Sequence, residues 1–298
     1  MSDRKLHLDA LAVVALVACC LLWGLNQVAA KAALPEIPAL WQASARSLVG
    51  ALLVWIWSRL RGIRLFDRDR TLGGGLLAGL LFAAEFACIF VGLEYTTASR
   101  MVVFLYLAPF VVALGMPFIA RNEKLAWPQV AGLALAFAGV AWAYLEGFGK
   151  PAAGAHQWLG DALGVVAAVL WGATTLAIRA TRLSQASAEK TLLYQLVVSG
   201  VLLAGAALAT ATPLPSHLST LAWSSLAFQV IIVTFASYLV WFWLVRSYPA
   251  TRLAAFTMLT PMFGLLMGAV LLAEPISARL LLALVGVAAG IFLVNRKQ

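Results

Sequence analysis

Ten stretches of roughly twenty apolar residues follow one another along the chain, and this repeated length limits the possible folds more than any other feature. A helix of that length spans the hydrocarbon core of a bilayer. The stretches are apolar all round rather than on one face, which suits lipid and not water. The sequence therefore predicts an all-α integral membrane protein with ten transmembrane helices. Their predicted bounds are 10–33, 38–58, 72–93, 100–120, 126–145, 160–178, 191–210, 222–245, 253–272 and 278–294.

The composition and the distribution of charge agree with a membrane environment. Of the 298 residues, 63% are hydrophobic and 11% are charged, whereas a soluble domain carries about a quarter charged residues. The net charge of +9 does not indicate nucleic-acid binding, because the basic residues lie in short segments between apolar spans. If the N-terminus is cytoplasmic, sixteen Lys and Arg residues lie on the cytoplasmic side and four on the other. This bias predicts a multi-pass protein of the bacterial inner membrane with both termini in the cytoplasm.

The two halves of the chain, residues 1–150 and 151–298, resemble each other. Aligned positions, at offsets between 148 and 152, include Trp23 with Trp171, Gly24 with Gly172, Lys31 with Arg179, Pro109 with Pro261, and Glu123 with Glu274. Each half holds five predicted spans, an odd number, so the second half enters the membrane upside down relative to the first. Inverted repeats of this kind are typical of secondary transporters, whose binding site lies near the midplane between the halves.

Two ionisable side chains lie deep inside predicted spans, Arg46 in the second and Glu85 in the third. Each lies ~12 Å from the outer end of its span at the rise of an α-helix. A charge at this depth is costly unless it is paired or hydrated. Two interpretations stay open. The residues form a structural ion pair between neighbouring helices, or Arg46 holds a substrate carboxylate while Glu85 holds an ammonium group or takes up a proton.

Polar and aromatic residues at similar depth complete the predicted substrate site. They are Trp23, Asn26, Gln27, Gln42, Trp171, Thr174, Tyr238 and Trp241. Packing between helices is the ordinary role of each of them, and their convergence near the midline favours a site. An aromatic lining suits planar substrates and organic cations. Pro109 and Pro261 interrupt the backbone hydrogen bonds of the fourth and ninth spans, which makes them candidate gating kinks.

These features together resemble the EamA-type family of the drug/metabolite transporter superfamily, over nearly the whole chain. The motifs that carry the resemblance are the two Trp-Gly pairs, Arg46, the Tyr95–Ala98 sequence, the mid-helix prolines, and Glu123 and Glu274. The resemblance implies a secondary transporter that moves small organic metabolites by alternating access. Exporters of aromatic amino acids and related amines are the nearest subgroup. Another metabolite class, such as nucleosides, sugars or drug-like cations, is the alternative.

Signatures of other functional classes are missing from the sequence. There is no Walker A motif, no Ser/His or HExxH arrangement, and no metal spacing among the three cysteines and three histidines. We therefore expect a non-enzyme without metal or cofactor, and an intramembrane lipid-modifying enzyme or a receptor-like protein is less favoured. The expected partners are a small-molecule substrate and the bilayer, with no nucleic acid. Gly-x-x-x-Gly patterns at 264–268 and 286–290 allow a homodimer as well as a monomer.

Overall fold

The computed structural model describes residues 9–67, 69–119, 127–149, 151–248, 253, 256–257 and 259–295, and every regular element in them is helical. The first half contains α1 (Ala10–Ala33), α2 (Ala39–Leu60), α3 (Leu72–Tyr95), α4 (Ala98–Leu105), α5 (Ala108–Ile119), α6 (Trp127–Tyr144) and the short α7 (Glu146–Gly149). The second half contains α8 (Gln157–Ala180), a 3-10 turn (Arg182–Gln185), α9 (Ala188–Ala209), α10 (Thr220–Ala227), a π-helical segment (Phe228–Ser237), α11 (Tyr238–Ser247), α12 (Leu259–Leu272) and α13 (Ala278–Asn295).

Eight helices in the described part of the chain are long and apolar enough to cross a membrane. They match the first eight predicted spans to within a few residues, with α4 and α5 forming one span and α10 to α11 another. Two further apolar helices, Leu259–Leu272 and Ala278–Leu293, are shorter. Part of the predicted ninth span lies outside the described residues. The all-α membrane architecture is thus confirmed, and the count of ten spans stays a prediction.

Several helices begin with a side-chain cap, which explains where they start. Asp9, Thr97, Ser187, Ser219 and Ser277 each accept a hydrogen bond from the backbone N–H three residues ahead. The first N–H groups of a helix have no partner within the helix, so such caps stabilise the start by about 1 kcal/mol each. The apolar residues that follow each cap then need lipid or another helix to cover them.

Glycines allow particular helix pairs to pack closely. A Cβ on Gly24 of α1 would lie 2.6 Å from the backbone nitrogen of Gly264 in α12. A Cβ on Gly290 of α13 would lie 2.5 Å from the carbonyl oxygen of Gly132 in α6. Glycine at such contacts lets helix backbones approach within a membrane. The Gly-x-x-x-Gly patterns of α12 and α13 therefore serve packing within the chain, and the homodimer stays a prediction.

The packed helices place α1, α2, α3 and the π-helical segment around the interior polar residues. The α1 helix packs against α12 and the π-helical segment, and α2 packs against α9 and the same segment. The α3 helix packs between α8 and α9, while α6 pairs with α13. Large apolar side chains such as Leu52, Leu80 and Val201 remain exposed on the outside, where lipid would cover them.

Candidate functional site

Most of the polar side chains predicted to bind substrate are buried inside the helix bundle. Those exposed by 8% or less are Asn26, Gln27, Gln42, Arg46, Glu85 and Thr174. Trp23, Tyr238 and Trp241 are partly buried. The structure therefore brings residues from α1, α2, α3, α8 and α11 into the interior of the bundle, and their role in substrate binding stays a prediction.

Arg46 is surrounded by aromatic and acidic neighbours. Its guanidinium carbon lies 4.3 Å from the centre of the Phe86 ring, a distance at which a cation is attracted to the ring face. Tyr238 and Glu85 also lie within interaction distance of the guanidinium group. These neighbours leave the Nε and Nη1 atoms of Arg46 without a hydrogen-bond partner.

Arg46 and Glu85 do not form an ion pair in this structure. The ion pairs in the described part of the chain join Arg100 to Glu146 and Asp161, and Lys190 to Asp69. The Oε2 atom of Glu85 also has no hydrogen-bond partner. A buried charge is stable only when it is paired and hydrogen-bonded, so two buried charged groups that have free atoms and do not pair with each other are typical of a site that a ligand or water completes.

Buried amide side chains of α1, α2 and the π-helical segment also have free atoms. The Oδ1 atom of Asn26 and the Oε1 atoms of Gln27 and Gln42 have no partner, and both polar side-chain atoms of Gln229 have none. The Nε2 atom of Gln42 donates to the carbonyl oxygen of Ala30 at 3.3 Å. Each unsatisfied buried polar atom costs about 1–3 kcal/mol. Other buried polar atoms without a partner lie elsewhere in the bundle, in Ser58, Gln157 and Glu189, so it is the opposite charges of Arg46 and Glu85 that distinguish this group.

Aromatic rings form the apolar part of this region. The indole Nε1 of Trp23 donates to the Ser237 hydroxyl at 2.8 Å, and the ring lies edge-on to Trp241 with centroids 5.4 Å apart. Along α3, the rings of Phe86 and Phe90 have centroids 6.1 Å apart. The region thus combines charged and amide groups with broad apolar faces.

Two predicted site residues of the second half, Trp171 and Thr174, do not offer unpartnered buried polar atoms to a ligand. Trp171 is 39% exposed and lies edge-on to Tyr106 with centroids 6.3 Å apart, so it does not join the buried polar region. Thr174 is buried, but its hydroxyl donates to the carbonyl oxygen of Leu170 at 2.8 Å. A threonine in a helix often bonds back to the preceding turn in this way.

One of the two candidate gating prolines, Pro109, lies near a helix start. Tyr106 and Leu107 form a turn between α4 and α5, and Pro109 is the second residue of α5. The missing N–H of a proline is tolerated in the first turn of a helix, which explains why α5 begins there. Pro261 lies in α12, and Phe256 and Thr257 ahead of it are helical as well. The fourth span is therefore interrupted next to Pro109, and the gating role stays a proposal.

A buried charge cluster around Arg100, at the end of the bundle opposite the termini, was not predicted from the sequence. Arg100 donates to Asp161 at 2.6 Å, to Glu146 at 2.9 Å and to the Ala143 carbonyl oxygen at 2.6 Å. The Thr96 hydroxyl also donates to Asp161, at 2.6 Å. The acidic residue at the start of the predicted sixth span was the signal for this cluster. Its members are hydrogen-bonded, so it is structural.

Two further sets of contacts lie at the same end of the bundle. The Lys31 ammonium donates to the carbonyl oxygens of Leu93 and Thr96 at 2.7 and 2.6 Å. The Glu274 carboxylate accepts from the backbone N–H groups of Ala98 and Ser99 at 2.7 and 2.9 Å, where α4 begins. An acidic group at a helix N-terminus satisfies free N–H groups and the helix dipole. Glu123, its counterpart in the first half, lies outside the described residues.

The chain matches the EamA-like transporter family over residues 10–145 and again over residues 158–296. It is 30% identical over 286 residues to an uncharacterized transporter of Bacillus subtilis, YvbV, covering 93% of this chain and 89% of that protein. It is 25% identical over 283 residues to a Salmonella typhimurium protein named "Probable amino-acid metabolite efflux pump", covering 91% and 90%. A solved crystal structure at 17% identity has the same fold, with a TM-score of 0.65 over 95% of this chain and 96% of that one.

Proposed function

Because this chain belongs to the EamA-like transporter family, we propose that it exports amino acids, especially aromatic ones, or related amines across the bacterial inner membrane. The observation that carries the proposal is the group of unpartnered buried atoms around Arg46 and Glu85. The printed name of the Salmonella typhimurium relative supports the substrate class. Both termini would lie in the cytoplasm, as the distribution of basic residues predicts.

The free hydrogen-bonding atoms complement an α-amino acid. Arg46 has two free donor atoms, Nε and Nη1, which suit a carboxylate. Glu85, Asn26 and Gln27 each have a free acceptor atom, which suits an ammonium group with its three N–H donors. A zwitterion that leaves water loses its hydration, and these groups replace it. The partly buried rings of Trp23 and Trp241 supply aromatic surface for an aromatic side chain.

Glycine contacts support the arrangement of ten helices as two inverted five-helix repeats, residues 1–150 and 151–298. A Cβ on Gly24 would meet the Thr260 carbonyl oxygen at 2.9 Å, and a Cβ on Gly172 would meet the Ala108 carbonyl oxygen at 3.2 Å. The two glycines and the two carbonyl residues are equivalent in the sequence repeat. The same contact made twice, with the roles of the halves exchanged, is what a pseudo-two-fold axis produces.

The two ends of the bundle support alternating access. At one end, Lys31 of α1 bonds to the carbonyl oxygens of Leu93 and Thr96. Its repeat equivalent, Arg179 of α8, is exposed at the other end, where its Nη1 lies 3.8 Å from the Met116 sulfur. We infer that this conformation is closed toward the periplasm. In the opposite state the Lys31 contacts would break and Arg179 would bond to the end of α11.

The proposed function is tested by flux in proteoliposomes that contain the purified full chain. Vesicles loaded with unlabelled phenylalanine are diluted into labelled phenylalanine, and protein-free vesicles serve as the control. We expect counterflow of aromatic amino acids and related amines, and none of sugars or nucleosides. Flux of a sugar or a nucleoside without flux of amino acids or amines would contradict the proposal.

A further inference from the structure

We propose that Gln229 is a further substrate-contacting residue, whose side-chain amide bridges the carboxylate and the ammonium group of a bound α-amino acid. The inference rests on the proposed function and names the chemistry by which the site recognises its substrate. Gln229 is 0% exposed, and neither its Nε2 nor its Oε1 atom has a hydrogen-bond partner.

The burial of Gln229 is not explained by helix packing alone. A glutamine that joins two helices in a membrane does so through hydrogen bonds across the interface. Without such bonds the amide costs about 1–3 kcal/mol for each unsatisfied group, and an apolar side chain of similar size would pack without that cost. A bound polar ligand would satisfy both atoms at once.

The backbone around Gln229 is also unusual, because it is π-helical. Gln229 lies at the start of the π-helical segment Phe228–Ser237, and the Thr234 hydroxyl donates to the Gln229 carbonyl oxygen at 2.8 Å. That hydrogen bond joins residues five apart, which matches the wide turn of a π-helix. Such turns are rare and occur frequently at functional sites.

The register between two helices places Gln229 level with Arg46. A Cβ on Gly50 of α2 would lie 2.6 Å from the Thr234 side chain, so these two residues face each other. The second and eighth predicted spans run in the same direction through the membrane. One helical turn outward from Gly50 is Arg46, and one π-helical turn outward from Thr234 is Gln229. The two side chains therefore belong to one layer of the bundle.

An amide suits the group that all α-amino acids share. It presents a donor and an acceptor side by side, and an α-amino acid presents a carboxylate and an ammonium group on one carbon. Arg46 holds the carboxylate, Glu85 holds the ammonium group, and Gln229 bonds to both. An amine that lacks the carboxylate loses one of the two Gln229 bonds.

The experiment compares Gln229→Met with wild type in proteoliposomes that contain the full chain. Methionine keeps the length of the side chain and removes both hydrogen-bonding groups. The matched control is Gln195→Met, which changes a partly exposed glutamine of α9. For each protein, KM and maximal flux are measured with phenylalanine and with phenethylamine, and the melting temperature is measured in detergent.

We expect Gln229→Met to raise the KM for phenylalanine by about tenfold, the equivalent of one lost hydrogen bond to a charged group. The KM for phenethylamine should rise less, and the melting temperature should not fall. Gln229→Glu should repel the carboxylate and so weaken phenylalanine transport further, while retaining phenethylamine transport. Gln195→Met should behave as wild type.

Two results would overturn the assignment of Gln229 while leaving the proposed function intact. One is an unchanged KM for both substrates in Gln229→Met. The other is an equal loss for both substrates together with a lower melting temperature, which indicates a structural role. If the wild-type protein moves neither phenylalanine nor phenethylamine, the proposed function fails and the inference fails with it.

Discussion

Asn26 and Gln27 in α1 occupy the positions that Thr174 and Thr175 occupy in α8, at an offset of 148 residues. The first pair has amide oxygens without partners. The second pair donates its hydroxyls to the carbonyl oxygens of the preceding helical turn, at 2.8 and 3.1 Å. The repeat therefore conserves how the helices pack without conserving what the helices offer to a ligand.

The charged residues of the candidate site also differ between the two repeats. Arg46 and Glu85 both belong to the first half, and Tyr238 of the second half lies within interaction distance of Arg46. A symmetric framework allows two states that open to opposite sides, while a small asymmetric substrate needs an asymmetric set of partners. We expect substitutions in the first half to change substrate binding, and equivalent ones in the second half to do so much less.

Replacement of Arg46 should have the largest effect. Arg46→Ala should reduce phenylalanine transport at least about a hundredfold, because the carboxylate loses its charged partner. Phenethylamine transport should fall less. Arg59→Ala, which removes an exposed arginine from the end of the same helix, is the control. Equal losses for the two substrates in Arg46→Ala would argue against a carboxylate contact.

Glu85→Gln should impair amine transport more than carboxylate transport, the reverse of Arg46→Ala. The amide keeps the shape of the side chain and removes the negative charge that holds the ammonium group. We expect phenethylamine transport to fall more than the transport of a carboxylate that lacks the amine. If Glu85 also carries the proton that drives export, the pH dependence of flux should flatten. An unchanged ratio of the two fluxes would show that Glu85 does not contact the amine.

The comparison of the two repeats can be tested directly with matched pairs of alanine variants. Asn26→Ala and Gln27→Ala should each raise the KM for phenylalanine about three- to tenfold, since each removes one hydrogen bond to the substrate. Thr174→Ala and Thr175→Ala remove hydroxyls that bond to their own helix, and their KM should stay within about twofold of wild type. Equal effects in both pairs would mean that the site is symmetric.

The closed end of the bundle should respond to Lys31. Lys31→Met removes the donor to the carbonyl oxygens of Leu93 and Thr96, so the outward-open state should become more populated. A cysteine introduced at Ser99, which is buried at that end, should then be labelled faster by a membrane-impermeant thiol reagent in intact cells. Arg179→Met should leave that labelling unchanged or slower. Faster labelling in both variants would contradict the assignment of the closed end.

The smallest expected effect is on stability and concerns an ion pair between the two halves. The Lys190 Nζ atom lies 2.8 Å from the Asp69 Oδ2 atom. Hydrogen bonds from Lys190 and then Thr71 lower the pKa of Asp69 from 3.8 to about 2. Because the pKa is lower in the folded protein than in the unfolded chain, the ionised Asp69 carboxylate stabilises the fold at pH values above 3.8. This contribution is lost as the pH falls toward 2. Asp69→Asn should lower the melting temperature by about 1 °C at pH 6. The difference should shrink as the pH falls through about 2, and a constant difference would contradict the pKa assignment.

The length and hydrophobicity of the spans were enough to predict the helices, because a bilayer forces every backbone group to bond within its own helix. Arg46 and Glu85 could be predicted as buried because their depth follows from helix geometry. The failure of these two residues to pair could not be predicted, since it depends on side-chain directions. The Arg100 cluster was missed for a related reason. Arg100 bonds there to residues of α6, α7 and α8, and only the tertiary packing brings these helices to α4.

The most direct test of the central claim is equilibrium binding of labelled phenylalanine to purified wild-type protein and to the double variant Arg46→Leu, Glu85→Leu. We expect saturable binding to wild type that tyrosine and phenethylamine compete away. We expect none to the double variant, which should still fold because two apolar side chains can replace a buried pair of charges. Wild-type affinity and full transport in the double variant would show that Arg46 and Glu85 serve structure alone, and would contradict the proposed binding site.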